Sequence, residues 1–324
     1  MTPNSFKSLE TILYPKIEPY RQNIINVGDT HQVYFEECGN PDGIPVMVLH
    51  GGPGGGCSAT MRRYFDPSKY RVILFDQRGC GRSRPHASID NNTTWKLISD
   101  IEKIREALAV DKFVLFGGSW GAALSLLYAE SFPSRVSRMI LRGVFTMTKA
   151  ELSWVYTKEG AAKFLPEAWR AFESLIPFEE RFDMISAYNK RLFGSSPSEQ
   201  AKYAKAWTIW ENSLASFKAI GTTFNPTNEY AKAFARIENH YFINAGFLPS
   251  DDYIMGNLHI IKHIPTIIVQ GRYDMICPPY TAEALHRSLE NSELLMIKSA
   301  GHTMSELGIS EELVMATNKF KTLK

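Results

Sequence analysis

Lys112-Phe-Val-Leu-Phe-Gly-Gly-Ser-Trp-Gly-Ala-Ala-Leu-Ser-Leu-Leu-Tyr-Ala129 is the stretch whose reading decides the fold. An apolar run, Phe113 to Phe116, feeds into Gly117-Gly-Ser-Trp-Gly121, and an Ala/Leu-rich segment with helical spacing follows. The pattern predicts a strand, a sharp turn and a helix, with Ser119 at the apex of the turn. A serine held in a sparsely allowed conformation needs neighbours without Cβ atoms, so that strand and helix can approach closely.

The sequence on either side repeats the strand-and-helix rhythm. Upstream, Gln32–Cys38 reads as a strand, and Gly39-Asn-Pro-Asp-Gly43 is dense turn chemistry. Ile44-Pro-Val-Met-Val-Leu49 and Arg71-Val-Ile-Leu-Phe75 are short apolar runs, as expected of strands covered on both faces of a parallel sheet. Thr93 or Thr94 caps a helix with apolar residues at Trp95, Ile98, Ile101, Ile104 and Leu108. Downstream, Arg135–Leu141 is another strand. The alternation from 44 to 141 predicts an α/β fold with a doubly wound, mostly parallel sheet. Residues 1 to about 28 read as an irregular lead-in.

From about 146 to 258 apolar strand runs give way to helical, aromatic-rich sequence that includes Trp154, Trp169, Trp207, Trp210 and Tyr241. Strand signals resume at Pro265–Val269 and Leu294–Ile297. The expected organisation is a core of residues 1–145 and 259–324, with residues 146–258 inserted as a helical cap domain over the sheet edge where open α/β sheets place their ligands.

Composition narrows the class. With 324 residues, 44% hydrophobic, 22% charged and a net charge of +2, the chain has the profile of a soluble globular protein and carries no basic patch. No nucleic-acid or membrane partner is expected: no apolar run approaches the ~20 residues that span a bilayer, and Met1–Lys7 lacks the pattern of a signal peptide. Cys38, Cys57, Cys80 and Cys277 have no metal-ligand spacing and read as reduced thiols of a cytoplasmic protein. The oligomeric state is open, and a monomer is compatible with everything above.

A serine hydroxyl is a weak nucleophile until a base takes its proton, and the base needs a carboxylate to fix its tautomer. Both partners follow late strands: Gln270-Gly-Arg-Tyr-Asp274 after one, and Lys298-Ser-Ala-Gly-His302 after the other. Asp274 alone could be a turn or cap residue, and His302 alone a structural histidine. Together with Ser119 they stand in the order Ser, Asp, His, which resembles the triad order of the α/β-hydrolases, and the G-x-S-x-G turn resembles their nucleophile elbow. An oxyanion formed at Ser119 would take the N–H of Trp120 and one from the loop 51–56, best assigned to Gly52. A phosphate-cradling role for that loop lacks the Lys-Ser/Thr that follows such loops. His50 fits a brace for the loop.

His50-Gly-Gly-Pro-Gly-Gly, Asp76-Gln-Arg-Gly-Cys-Gly-Arg-Ser83, Gly117-Gly-Ser-Trp-Gly121, Gly271-Arg-Tyr-Asp274 and Ala300-Gly-His302 together closely resemble the proline iminopeptidases, serine exopeptidases that release N-terminal proline. The resemblance runs from about Leu13 to the last helix. It implies Ser119 as nucleophile, Asp274 as orienting acid and His302 as general base. In Trp207-Thr-Ile-Trp-Glu211 and Ala235-Arg-Ile-Glu-Asn-His-Tyr241 it implies Glu211 and Glu238 as carboxylates for the substrate's terminal amine; by sequence alone either could be an exposed helix charge. Phe145 and Cys277 match residues of the proline-ring pocket, and Cys277 could equally be a small buried hydrophobe. Ser153-Trp-Val-Tyr156 departs from the family by placing Val155 where a second aromatic is expected.

The function so implied is cleavage after an N-terminal proline in short peptides through an acyl-enzyme, with no metal or organic cofactor. Rival readings are an esterase or amidase acting on small uncharged substrates, for which Glu211 and Glu238 would be dispensable, and a ligand receptor that keeps a hydrolase fold. Epoxide hydrolases and dehalogenases use Asp where this chain has Ser119.

Overall fold

The strand of the decisive stretch, β5 (Phe113–Ser119), lies between β3 (Ile44–Leu49) and β6 (Val136–Val144) and is parallel to both. The computed structural model describes residues 8–217 and 224–322; Met1–Lys7 lies outside them. With β1 (Arg21–Gly28), β2 (His31–Gly39), β4 (Tyr70–Phe75), β7 (Thr266–Gly271) and β8 (Ser292–Ile297), the sheet has eight strands in the order β1-β2-β4-β3-β5-β6-β7-β8. All neighbours are parallel except β1–β2 and β2–β4. The α/β expectation holds.

Two readings of the N-terminal part need correction. The supposed lead-in contains α1 (Leu9–Ile12) and ends in the edge strand β1. Only Val27 of its eight residues is buried, so β1 lacks the apolar run that marks the interior strands. Between β3 and β4 the chain makes a tight helical turn, Ala59–Tyr64, in place of an α-helix, so the strict alternation starts only after β4.

Side chains alternate across the sheet, as a two-residue period requires. Met47, Leu49, Ile73, Phe75 and Leu115 join the core layer with α2 (Thr94–Ala107) and α3 (Trp120–Ser131). Val46, Val48, Leu74, Val114 and Phe116 face the opposite layer, shared with Tyr64 and Phe65. Thr93 caps α2 through its hydroxyl, as expected. Helix α3 is buried almost all round, with eleven of its twelve residues inside, and so carries no amphipathic stripe.

Between β6 and β7 the chain is helical: α4 (Lys149–Tyr156), α5 (Pro166–Glu173), α6 (Met184–Leu192), α7 (Pro197–Ala215), α8 (Asn228–Ile243) and α9 (Tyr253–Asn257). Its interior is aromatic: Phe172 stacks on Tyr188 at 4.3 Å, and Tyr156 on Trp207 at 4.5 Å. The core resumes with β7, α10 (Pro279–Ser288), β8 and α11 (Leu307–Phe320), which packs on the β-sheet. Among the described residues, no helix is long and apolar enough to cross a membrane.

Candidate active site

Ser119 ends β5 with φ 59° and ψ −126°, a strained conformation for a residue with a side chain. The flanking glycines permit it. A Cβ on Gly117 would lie 2.1 Å from the Gly121 carbonyl oxygen, and one on Gly121 would lie 2.0 Å from that of Leu49. The strand and helix are therefore closer than any side chain allows. The loop after β3 also comes near, since a Cβ on Gly51 would sit 3.3 Å from that of Ser119.

The other two residues reach the same edge from β7 and β8. Asp274 is buried, and its Oδ1 accepts the N–H groups of Ile276 at 3.0 Å and Cys277 at 2.8 Å. Its Oδ2 accepts from Gln270 Nε2 at 3.2 Å and from His302 Nδ1 at 2.8 Å. His302 Nε2 then has no proton, and it accepts from Arg142 Nη1 at 2.9 Å, which also donates to the His302 carbonyl at 2.9 Å. Burial holds the His302 imidazole below its ordinary pKa; Asp274 opposes this and Arg142 adds to it. The result is a neutral imidazole in the tautomer a general base needs.

Arg142 gave no signal of its own in the sequence, being one of two arginines, with Arg138, among the apolar residues of β6. Its guanidinium is partly buried on the cavity wall, with its pKa lowered by desolvation, and occupies space that a Cβ on Gly118 would need.

His50 braces the glycine loop. Its Nε2 accepts the Gln77 N–H at 3.0 Å, while its Nδ1 lies 3.0 Å from the Gly51 carbonyl. Gln77 also accepts from Trp120 Nε1 at 2.9 Å, which joins that loop to the start of α3. The backbone N–H of Trp120 is the first of a helix and points toward the strand end. Gly52 lies next to Gly51 and lines the cavity described next.

A cavity of about 250 Å³ opens over Ser119 and extends into the helical layer. Ser119, Arg142 and His302 lie on its walls, and so do Phe145, Cys277, Glu211 and Glu238. Every side chain the sequence nominated for substrate contact thus faces one space. Val155 and Tyr156 complete the ring of apolar wall around Phe145 and Phe242. Burial pushes the Cys277 thiol well up, with the Asp274 and Glu151 carboxylates adding to the shift, so it is a neutral wall residue and not a thiolate.

Glu211 (on α7) and Glu238 (on α8) are both buried. Burial raises both carboxyl pKa values, that of Glu211 to about 7, and the Glu211 charge adds to the shift of Glu238, which lies well above the ordinary range. Among the described residues, each has one fixed side-chain donor. Tyr156 Oη donates to Glu211, and Trp207 Nε1 donates to Glu238 at 2.6 Å. Sequence reading missed these two anchors as functional residues, although the stacking of Tyr156 on Trp207 makes them one platform. It also missed Glu151, a buried carboxylate on the cavity wall already satisfied by Thr146, Thr148 and Thr281. Among the described residues, no cluster of His, Cys, Asp and Glu is arranged to hold a metal ion.

These features make Ser119 the candidate nucleophile on an α/β-hydrolase scaffold, and the comparisons agree on the scaffold. The family model for the alpha/beta hydrolase fold matches residues 44–308. An esterase from Exiguobacterium antarcticum superposes with a TM-score of 0.61 at 22% identity, covering 94% of this chain and all of that one. A bromoperoxidase from Bacillus anthracis gives 0.62 at 20% identity, covering 92% of this chain and all of that one. At those identities the likeness is one of fold.

Sequence relatives are far closer. A probable proline iminopeptidase of Leptolyngbya boryana is 49% identical over 96% of this chain and 98% of its own length. The proline iminopeptidase of Arabidopsis thaliana is 48% identical over 96% of this chain and 82% of its own. That of Neisseria gonorrhoeae is 43% identical over 94% and 97%. The chain belongs to the proline iminopeptidase family.

Proposed function

We propose that the protein is a prolyl aminopeptidase, a serine exopeptidase that frees proline from the N-terminus of short peptides. The observation that carries this reading is the pair Glu211 and Glu238, buried at the cap end of the same cavity as Ser119. Two carboxylates buried together are costly unless a cation joins them, and a prolinium group supplies one with two N–H donors. The residues 146–258 then act as a cap domain on a core of 1–145 and 259–324.

In the reaction, Ser119 Oγ attacks the proline carbonyl carbon while His302 Nε2 takes the hydroxyl proton, exchanging its Arg142 N–H for the serine. The oxyanion takes hydrogen bonds from the N–H groups of Trp120 and Gly52. His302 returns the proton to the leaving amine as the C–N bond breaks, leaving a prolyl ester on Ser119. Water, deprotonated by His302, then hydrolyses that ester. Asp274 holds the imidazole and stabilises its charged form. Phe145, Val155 and Cys277 face the pyrrolidine ring. Every role is filled by a side chain or backbone group, so the reading calls for no cofactor. Four free thiols support a cytoplasmic setting.

The test is turnover of proline β-naphthylamide against its N-acetyl form. Loss of at least about 10²-fold on acetylation is expected, because the blocked amine leaves two buried carboxyls without their cation. Equal turnover would favour an esterase or amidase for uncharged substrates.

A further inference from the structure

One buried carboxylate outside the cavity joins the cap to the loop of the catalytic base. Glu306, just before α11, is 6% exposed. Its Oε2 accepts the Gly301 N–H at 3.1 Å, next to His302. Its Oε1 accepts the Phe217 N–H at 2.7 Å and the Ser216 hydroxyl at 3.3 Å, the two residues that follow α7. Between these bonds the last carbonyl of α7, Ala215, accepts the N–H groups of His302 at 3.0 Å and Thr303 at 2.8 Å. A helix end needs donors for its final carbonyls, and here the histidine loop supplies them. The packing leaves no slack, since a Cβ on Gly301 would meet the Phe217 nitrogen at 2.9 Å and Glu306 Oε1 at 3.2 Å.

Helix α7 is the element that carries Glu211, one turn before Ala215, and Trp207, the donor to Glu238. The base loop is therefore pinned to the amine-binding helix and not only to the sheet. We propose that Glu306 is a positioning residue that ties the His302 loop to the end of α7, so that the general base is set by the helix that holds the substrate's amine. The proposal rests on the aminopeptidase reading above. Each oxygen of Glu306 accepts on a different side of the knot, and an amide in its place would turn an N–H toward one of those donors and orphan it. The loop would then be free to shift against Asp274, whose 2.8 Å bond to Nδ1 fixes the ring.

The experiment compares Glu306→Gln and Glu306→Asp with the unmutated protein by three readouts. The first is kcat and KM on proline β-naphthylamide: kcat for Glu306→Gln should fall about 10–100-fold with KM within about 3-fold, the signature of a misplaced base. Glu306→Asp, which keeps both acceptors, should recover at least about 3-fold of that loss. The second is the rate at which a fluorophosphonate labels Ser119, which needs the base but not a proline, and should fall in parallel. The third is a cycle with Glu211→Gln, in which coupled residues lose less together than the product of the single losses. If Glu306→Gln is not recovered folded, Glu306→Asp carries the same readouts and must show a kcat loss at unchanged KM. Unchanged kcat and labelling rates would overturn the proposal, and so would losses that multiply in the cycle and follow a lowered melting temperature. If the unmutated protein is labelled but never releases proline, the aminopeptidase reading fails. The positioning claim is then decided by the labelling rates.

Discussion

The two halves of the site are held in opposite ways. Ser119, Asp274 and His302 stand at strand ends and are oriented largely by backbone: a forced turn, two N–H groups on Asp274 Oδ1, and a loop docked on a helix end. Glu211 and Glu238 ride on helices and are oriented by aromatic side chains, Tyr156 and Trp207, which themselves stack. Backbone-set geometry writes itself into local sequence, as glycines at fixed offsets. Packing-set geometry leaves no such trace, because a glutamate on a helix looks the same whether it faces water or a cavity.

The comparison can be broken most forcefully at Ser119. Ser119→Ala should lower kcat/KM about 10⁵-fold or more at an unchanged melting temperature, measured with proline β-naphthylamide. Retained turnover would mean that the strained turn does not present the nucleophile. Next come Glu211→Gln and Glu238→Gln, each expected to cost about 10²–10³-fold in kcat/KM, the range for leaving one partner of a buried charge pair unmatched. If either variant kept full activity on the free-amine substrate, the cap half of the comparison would fall.

The pH profiles sharpen the contrast by separating the halves. His302 is held below its ordinary pKa, so it stays neutral as pH falls through about 6.5 and kcat should drop only below that. The two carboxyls are raised, so they take up protons as pH falls from the neutral range and lose the charge that binds an ammonium. KM should therefore climb at a higher pH than that at which kcat drops, and coincident limbs would contradict the assignment.

A finer probe is Tyr156→Phe, which removes the hydroxyl donor to Glu211 but keeps the stack; about a 5–10-fold loss in kcat/KM is expected, with KM affected most. The smallest kinetic effect should come from Glu130, a buried carboxylate near the end of α3 whose two oxygens lack hydrogen-bond partners among the described residues, and whose pKa burial pushes up to about 8. Between its unfolded value and that raised one, the folded protein binds an extra proton, so stability falls as pH rises. Glu130→Gln should leave turnover unchanged and stabilise by up to about 4 kcal/mol near pH 7, with little gain at pH 4.5, read by denaturant melts. A raised carboxyl alone does not make a site. The cap pair differs by facing a cavity.

What the sequence revealed follows the same division. The interior strands and the triad were legible because apolar runs and glycine turns are local signals, and Ser119, Asp274 and His302 each follow one. The edge strand β1 was not, because its exposed residues carry no apolar run. Glu211 and Glu238 were nominated by family resemblance, and their burial is a property of helix packing. Arg142 and Glu306 stayed hidden because each has a defining partner, His302 and Phe217, that lies 160 and 89 residues away in the chain. Val155 lines the cavity wall beside Phe145 in the place where the family pattern suggests an aromatic ring.

The raised carboxyl pair gives the empty pocket a chemistry of its own. With both carboxyls raised, protons compete with any ammonium for the pair, in the manner of a miniature ion exchanger. On the proposed function, substrate binding is an exchange of one cation for another, with protons released as proline enters. Calorimetric heats of binding to a Ser119→Ala protein should depend on the ionisation enthalpy of the buffer, with a slope that counts the protons released.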